Sequence, residues 1–391
     1  MEELKYIDND INKGLKYNFK KIFKEFKKLN VPGDVHTPLE TNLSRNKYIV
    51  EMSERSVGKT TNWLLIGLCM FKLYGTQIQY IRQNQLMITP SNLKDLFSVI
   101  LEYDYISKLT DGEYNTVYYF SKRYYLAYYD KETQEITNKC DKHFMMLLSL
   151  DRQEYYKSSY NAPFGDLIIF DEFISKSYFQ NEFVDFMQLL KTIQRERLSP
   201  VVVLLANTID KHSQYLHELE IYDIVDNMEV GEHIDYTTEL GTNISINLVE
   251  PSLKLKKKKE TSNRTFYGFK NSALNSIRGG GWDLPVCQHI PSGMEYEIIF
   301  NNLYVFHNNK YLKLDIVTNV LGTCIYVHWA TYSYDDSIIL TVHDLYDERY
   351  IYGLGTGGLE KLLKHMLSSN KVFYATNDCK SFFDNYLKQI K

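Results

Sequence analysis

Two α/β domains, the first built on a mostly parallel sheet, are predicted by three features of this sequence. Strand-like and helix-like stretches alternate from about Thr41 to Pro251, the pattern of a sheet covered on both faces. Within that region, short apolar runs such as Leu167–Phe170 and Val201–Ala206 read as buried strands. From Cys287 onward the pattern becomes strand-rich and closes with two helical pieces. A chain of 391 residues is long for one domain, and its 44% hydrophobic content can fill ordinary cores.

Residues 1–34 read as a basic N-terminal helical arm. Ile11, Leu15, Phe19, Ile22, Phe23, Phe26 and Leu29 recur at helical spacing, and lysines fill the other face. Such a stripe either packs on its own domain or docks elsewhere, on a neighbouring subunit or, through its lysines, on a nucleic acid. Pro32, Gly33 and Pro38 mark a linker. The first domain is expected over residues 35–252. It should contain a strand at Asn46–Met52, a mostly apolar helix at Thr61–Leu73 and a second strand at Gln77–Arg82. A hairpin at Tyr114–Asp130 and a strand at His143–Leu150 follow. Then come the run at Leu167–Phe170, a helix at Asn181–Arg195, the run at Val201–Ala206 and a last strand at Asn243–Glu250. Residues 253–286 form a basic, partly helical linker. Its lysines, Lys254, Lys256, Lys257, Lys258 and Lys259, suit a solvated loop or an anionic partner. A helical segment at Thr265–Ile277 ends at Gly279-Gly280-Gly281. The second domain, 287–391, should hold strands at Tyr296–Phe300, Leu303–His307, Tyr311–Val317 and Thr323–Tyr332. Its helices are expected at Leu359–Ser368 and Ser381–Ile390, the glycine-rich Gly353–Gly358 being a turn before the first.

The chemistry is concentrated in three places. Residues Ser53-Glu54-Arg55-Ser56-Val57-Gly58-Lys59-Thr60 lie between a strand and a helix and follow the phosphate-loop pattern, with Ser53 where a first glycine is usual. In that context backbone N–H groups and the helix N-terminus face phosphates. Lys59 sets a cation against the β- and γ-phosphates, the Thr60 hydroxyl ligates Mg2+, and Thr61 continues the nucleotide-binding segment. The second place is Asp171-Glu172 after Leu167–Phe170. Asp171 is suited to the metal shell and Glu172 to orienting and deprotonating an attacking water. A glutamate beside the metal aspartate points to the additional-catalytic-glutamate type of P-loop ATPase. The third is Asn207, at the end of Val201–Ala206, where a polar side chain can sense the γ-phosphate.

With these residues in view, the chain resembles the DNA-packaging ATPases (encapsidation proteins, terminase-like motors) of small protein-primed podophages. The resemblance is carried by Arg55 in the loop, Tyr80-Ile81-Arg82, Asp171-Glu172-Phe173-Ile174, and the segment Leu189–Arg197. It implies a P-loop ATPase domain, a short helical linker and a C-terminal degenerate RNase H-like domain without nuclease activity. It further implies a homo-oligomeric ring, usually a pentamer, that uses ATP and Mg2+ to drive double-stranded viral DNA into a procapsid. The implied partners are the DNA, other copies of the chain, the capsid portal or connector, and a structural RNA in some relatives. The implied location is the host cytoplasm, transiently at the procapsid portal vertex. By spacing back from Asn207, the family's trans-acting arginine finger falls on Arg195, with Arg197 next. A lysine expected after the second strand appears as Gln85. The N-terminal arm is an addition to the pattern and could stand in for an RNA scaffold.

Net charge is −4, so no global field attracts nucleic acid, and DNA contact falls to local patches such as Lys254–Lys259. The five cysteines are scattered as free thiols of a reducing compartment, and no signal peptide or membrane-length apolar run stands out. His289, His307, His328 and His343 have no metal-ligand spacing and read as structural. Two rival readings have definite signatures. A P-loop GTPase would use Asn207-Thr208-Ile209-Asp210 to read a base, but the usual lysine is missing. A large-terminase-like enzyme with a live nuclease would gather Asp315, Asp335, Asp336, Asp344 and Asp347 around metal ions.

Overall fold

The apolar runs become the middle of a nine-stranded sheet. In this computed structural model, residues 17–32, 36, 38, 43, 45–54, 57–174, 181–207, 212–267, 287–290, 294–320, 322–342 and 348–390 are described. The sheet consists of β1 (Tyr48–Met52), β2 (Ile78–Arg82), β3 (Thr116–Phe120), β4 (Arg123–Asp130), β5 (Glu135–Ser149), β6 (Leu167–Asp171), β7 (Val201–Ala206), β8 (His233–Thr237) and β9 (Asn243–Leu248). Their spatial order is β3-β4-β5-β2-β6-β7-β1-β9-β8. From β5 to β9 every neighbouring pair is parallel, and antiparallel pairs (β3–β4, β4–β5, β8–β9) finish the two edges. All residues of β6 and β7 are buried, which is why these strands lack a polar face.

The helix after β1, α2 (Lys59–Tyr74), is bounded by left-handed glycines, Gly58 and Gly75. Its stretch from Trp63 to Met70 is wholly buried because it is covered on two sides. On one side lies the sheet, so close at Gly67 that an added Cβ would come within 2.4 Å of Ile78 Cδ1. On the other lies α1 (Phe19–Lys28). The Asn18 side chain caps α1 by accepting from the Lys21 N–H at 3.1 Å. Phe19, Ile22, Phe23, Phe26 and Leu29 belong to the same core cluster as Trp63 and Leu68. Of the readings open for the N-terminal stripe, the described part takes packing on its own unit; Ile11 and Leu15 lie outside the described residues. Tyr17 completes the attachment by donating its phenol to Asp166.

The lysine run departs from the solvated loop that its charge suggests. It lies on α9 (Leu253–Tyr267). The local cause is Ser252, whose hydroxyl accepts the Leu255 N–H at 3.2 Å. The shorter helices between these elements are α3 (Ser98–Glu102), α4 (Tyr105–Leu109), α5 (Gln153–Ser159), α6 (Glu182–Gln194), α7 (Gln214–Glu218) and α8 (Tyr222–Asn227). Of the helical segment expected at Thr265–Ile277, residues 265–267 end α9, and residues 268–277 lie outside the described residues.

Two units divide the chain. The first holds the described residues of Met1–Ile174, Glu182–Ile209 and Asp223–Phe266; the second holds those of Ser175–Asn181, Asp210–Tyr222 and Tyr267–Lys391. The second unit is built on β10 (Glu297–Phe300), β11 (Leu303–His307), β12 (Lys310–Asn319), β13 (Gly322–Ala330), β14 (Ile338–Thr341), β15 (Tyr350–Tyr352) and β16 (Val372–Tyr374). The order is β15-β14-β11-β12-β13-β16, with β10 also paired to β12. β11, β12 and β13 form an antiparallel meander, while β14 and β15 run parallel to β11. Two helices, α10 (Gly357–Ser368) and α11 (Asn377–Gln389), bury Leu363, Met366, Phe382, Phe383 and Tyr386 against Val305, Leu314 and Val327. The glycine-rich segment before α10 is a turn, as expected, with Gly353, Gly355 and Gly357 at positive φ. Of the chain between β7 and β8, the described residues of Asp210–Tyr222 also belong here: His212 pairs with Asp378 at 2.6 Å, and Lys310 donates to the Tyr222 phenol at 2.7 Å.

Candidate functional site

In a parallel sheet the carboxyl ends of the strands share one edge, and loops after neighbouring strands meet there. β7 lies between β6 and β1, pairing Met52 with Ala206 and Asp171 with Leu205. The loop after β1, Asp171-Glu172 and Asn207 are therefore brought to one place, although more than a hundred residues separate the loop from the others.

Gly58, at φ 88, turns the chain into α2 where a side chain would be strained. Lys59 opens the helix and is buried, its ammonium held by the Ser53 hydroxyl and by Asn207 Oδ1 at 3.4 Å. Burial lowers its pKa to about 8, with Glu51 and Asp171 pulling it back up and Lys259 pushing it further down. Ser53, the departure from the usual glycine, keeps out of the left-handed region and uses its side chain to aim Lys59. Its N–H extends the β1–β7 ladder onto Ala206 O at 3.2 Å. Arg55 and Ser56 lie outside the described residues.

The Thr60 hydroxyl sits 3.3 Å from both oxygens of Asp171. A hydroxyl and a carboxylate converging in this way are hard oxygen donors of the kind Mg2+ takes alongside phosphate oxygens. Asp171 also accepts the Tyr80 phenol at 2.6 Å, and burial with that carboxylate holds the phenol protonated. Glu172 takes a left-handed backbone, φ 58, a strained conformation for a side chain of this size. Its carboxylate accepts from Asn207 Nδ2 at 3.3 Å.

Arg82 is the site residue that motif reading missed. Its guanidinium bridges both acids, 3.2 Å from Asp171 Oδ2 and 3.0 Å from Glu172 Oε2. The sequence shows that Arg82 ends a strand. That this strand lies beside β6, pairing Ile81 with Phe170, is a fact of sheet order and is not written locally. A second missed group is Glu51, buried under the loop, which accepts Trp63 Nε1 at 2.9 Å and meets His36 Nε2 at 3.0 Å. The His36 N–H in turn donates to Val57 O at 3.0 Å.

The two candidate fingers are elsewhere. Arg195 and Arg197 precede β7, so they lie at the opposite edge of the sheet from Lys59, Asp171 and Asn207. Six residues of strand separate the edges by roughly 20 Å. Arg195 is exposed and donates to Tyr160 O. Arg197 is committed internally: it pairs with buried Asp166 and donates to Ile193 O at 2.8 Å and Pro163 O at 3.2 Å. Of the lysine run, Lys256 pairs with Glu250, and Lys259 with Glu54 at 2.8 Å, while Lys254, Lys257 and Lys258 are exposed.

Among the described residues, the acids of the nuclease reading, Asp315, Asp335 and Asp336, each have separate partners. The Asp315 carboxylate meets His328 at 2.9 Å and Lys313 at 3.3 Å. Asp336 accepts from Asn302 at 2.7 Å, Asp335 is exposed near Arg349, and Asp344 and Asp347 lie outside the described residues. Among the described residues no group of three His, Cys, Asp or Glu is placed to hold a metal ion. His289 and His307 are bonded to Tyr374 O and Gln389, while His343 lies outside the described residues. Asn207 lies against Lys59 and Glu172, and Thr208, Ile209 and Asp210 of the base-reading motif lie outside the described residues. No helix among the described residues is long and apolar enough to cross a membrane.

No family model matches the sequence, and no curated protein matches it either. Solved structures do. The Phi-28 gp11 DNA packaging motor is 17% identical, with 92% of this chain and 98% of that one covered at a TM-score of 0.52. The bacteriophage Phi-29 viral genome packaging motor assembly is 14% identical, covering 91% and 99% at 0.51. At such identities the likeness is one of fold, and it extends over nearly the whole of each chain.

Proposed function

We propose that this chain is a viral packaging ATPase: it hydrolyses ATP to drive double-stranded DNA into a procapsid, acting as a homo-oligomeric ring. The observation that carries the reading is the convergence of Lys59, Thr60, Asp171, Glu172 and Asn207 at one sheet edge. The near full-length likeness of fold to packaging motors supports it. β7 between β1 and β6, with a glutamate after Asp171, supports the additional-catalytic-glutamate type of ATPase. The β13-β12-β11-β14-β15 order supports an RNase H-like second unit, and the pairing of Asp315 with His328 and Lys313 supports its lacking nuclease activity.

In this reading the work is divided as follows. Backbone N–H groups of the loop and of the start of α2 receive the phosphates, and Lys59 neutralises charge on the β- and γ-phosphoryl oxygens. Thr60 and Asp171 would hold Mg2+, which supplies charge neutralisation across those oxygens. Glu172 orients a water against the γ-phosphorus and takes its proton as the new P–O bond forms and ADP leaves. Arg82 and Asn207 set the position of the Glu172 carboxylate. Arg195, remote from its own pocket and exposed, suits action on a neighbour's γ-phosphate. Lys254, Lys257 and Lys258 present charge to DNA phosphates, contacts that ignore sequence as packaging must.

A subunit-mixing ATPase assay with DNA tests this. Glu172→Gln and Arg195→Ala proteins should each be nearly inactive, and their mixture should recover hydrolysis. Activity of Arg195→Ala alone, or no recovery on mixing, removes the trans finger. Full activity of Glu172→Gln removes the mechanism.

A further inference from the structure

Glu54 is out of place in a loop that receives phosphate, because a carboxylate there repels the ligand the loop exists to hold. The structure supplies a counter-charge from far along the chain. Lys259, on α9 and 205 residues away in sequence, donates to Glu54 Oε2 at 2.8 Å. Both side chains are largely covered, 24% and 22% exposed, so water and salt screen the pair less than a surface pair. Lys259 acts on Lys59 as well, adding to the burial that lowers the latter's pKa. The helix that carries it is continuous for 15 residues and ends at Tyr267, where the chain passes to the second unit.

We propose that Lys259 is a positioning residue of the nucleotide site of its own subunit: it neutralises Glu54 and fastens the connecting helix α9 to the phosphate loop. This rests on the phosphate-loop reading above. It also divides the lysine run in two, with Lys259 serving the nucleotide and the exposed lysines left for DNA. Because the loop and α9 share this pair, a change in loop conformation on nucleotide binding is felt at the start of the path to the second unit.

The test uses the full chain without DNA and measures binding of Mg2+-ADP and of a non-hydrolysable ATP analogue. Lys259→Ala should weaken binding about tenfold, equivalent to about 1.4 kcal/mol. Glu54→Gln should bind at least as well as the wild type, and Glu54→Gln/Lys259→Ala should return to within a few-fold of it. This rescue is what a merely structural lysine would not give. Amide exchange over residues 253–267 should slow on nucleotide addition in the wild type but not in Lys259→Ala. Unchanged affinity of Lys259→Ala overturns the proposal. So does a double variant no better than Lys259→Ala, which would place the ammonium directly on phosphate. Lys59→Ala is the separate check: if it binds nucleotide normally, the phosphate-loop reading itself has failed.

Discussion

Replacing Arg82 with methionine should destabilise the first unit, because the arginine is the counter-ion of both acids at the end of β6, Asp171 and Glu172. Its side chain is 15% exposed and that of Asp171 only 9%, so their pairing is largely shielded from water. Breaking a buried pair by removing one partner costs about 3–5 kcal/mol, since the remaining charge is left uncompensated. Two discounts apply. Tyr80 and Thr60 still donate to Asp171, and the Glu172 side chain is 40% exposed, so its share of the pairing is worth little. About 2–3 kcal/mol remains. For a unit of this size that is a fall in melting temperature of roughly 5–10 °C. The assay is thermal and urea unfolding of Arg82→Met, Asp171→Asn and the double variant, from which a coupling energy of about 2 kcal/mol is expected. Mg2+-nucleotide should restore much of the deficit in Arg82→Met, because a divalent cation beside Asp171 replaces the lost charge. A coupling below about 0.5 kcal/mol would refute the reasoning, and so would a deficit that bound Mg2+-nucleotide leaves untouched.

Nucleotide affinity should depend on Lys59 in alkaline solution. Its pKa is about 8 in the free protein, and bound phosphate raises it, so binding takes up a proton once the pH passes 8. Affinity should be flat below pH 8 and fall roughly tenfold per pH unit above it, with proton uptake visible in calorimetry in buffers of different ionisation enthalpy; a flat profile to about pH 9.5 would place the lysine elsewhere. Arg197→Ala should cost about 3 kcal/mol of stability, because Asp166 is buried, and subunit mixing should not rescue it. A stable Arg197→Ala protein whose lost hydrolysis is restored by mixing would make Arg197 the finger. Deleting residues 1–29 should leave no stably folded monomer. The buried apolar side chains Phe19, Ile22, Phe23, Phe26 and Leu29, at about 1.5–3 kcal/mol each, together match the whole stability of an ordinary domain. A truncated protein that unfolds at the same urea concentration but no longer self-associates would restore the reading of a docking arm.

The sequence carried most of the first sheet because its central strands are uniformly apolar and its phosphate loop sits at a strand–helix junction. Motif residues were legible for the same reason: Lys59 and Thr60 open the helix after β1, and Asp171 ends β6. What was hidden depended on sheet order. Arg82 became a site residue only because β2 neighbours β6, and Arg195 and Arg197 were separated only by their bonding, one on a surface carbonyl and the other on buried Asp166. Of the two readings open for the lysine run, the solvated loop fails because charge density says nothing of Ser252, a cap signal present in the sequence. The α1 stripe was ambiguous on its own, since periodicity shows that a face is apolar and not what covers it.

The membership of His212 in the second unit has a consequence in time. It is 2% exposed and waits for Asp378, 166 residues further along the chain. A ribosome adding about 5–20 residues per second needs roughly ten to thirty seconds to supply that partner. During that interval His212 is made but lacks the carboxylate that pairs with it in the finished fold. The segment that carries His212 therefore stays a tethered, unfinished loop until α11 is made.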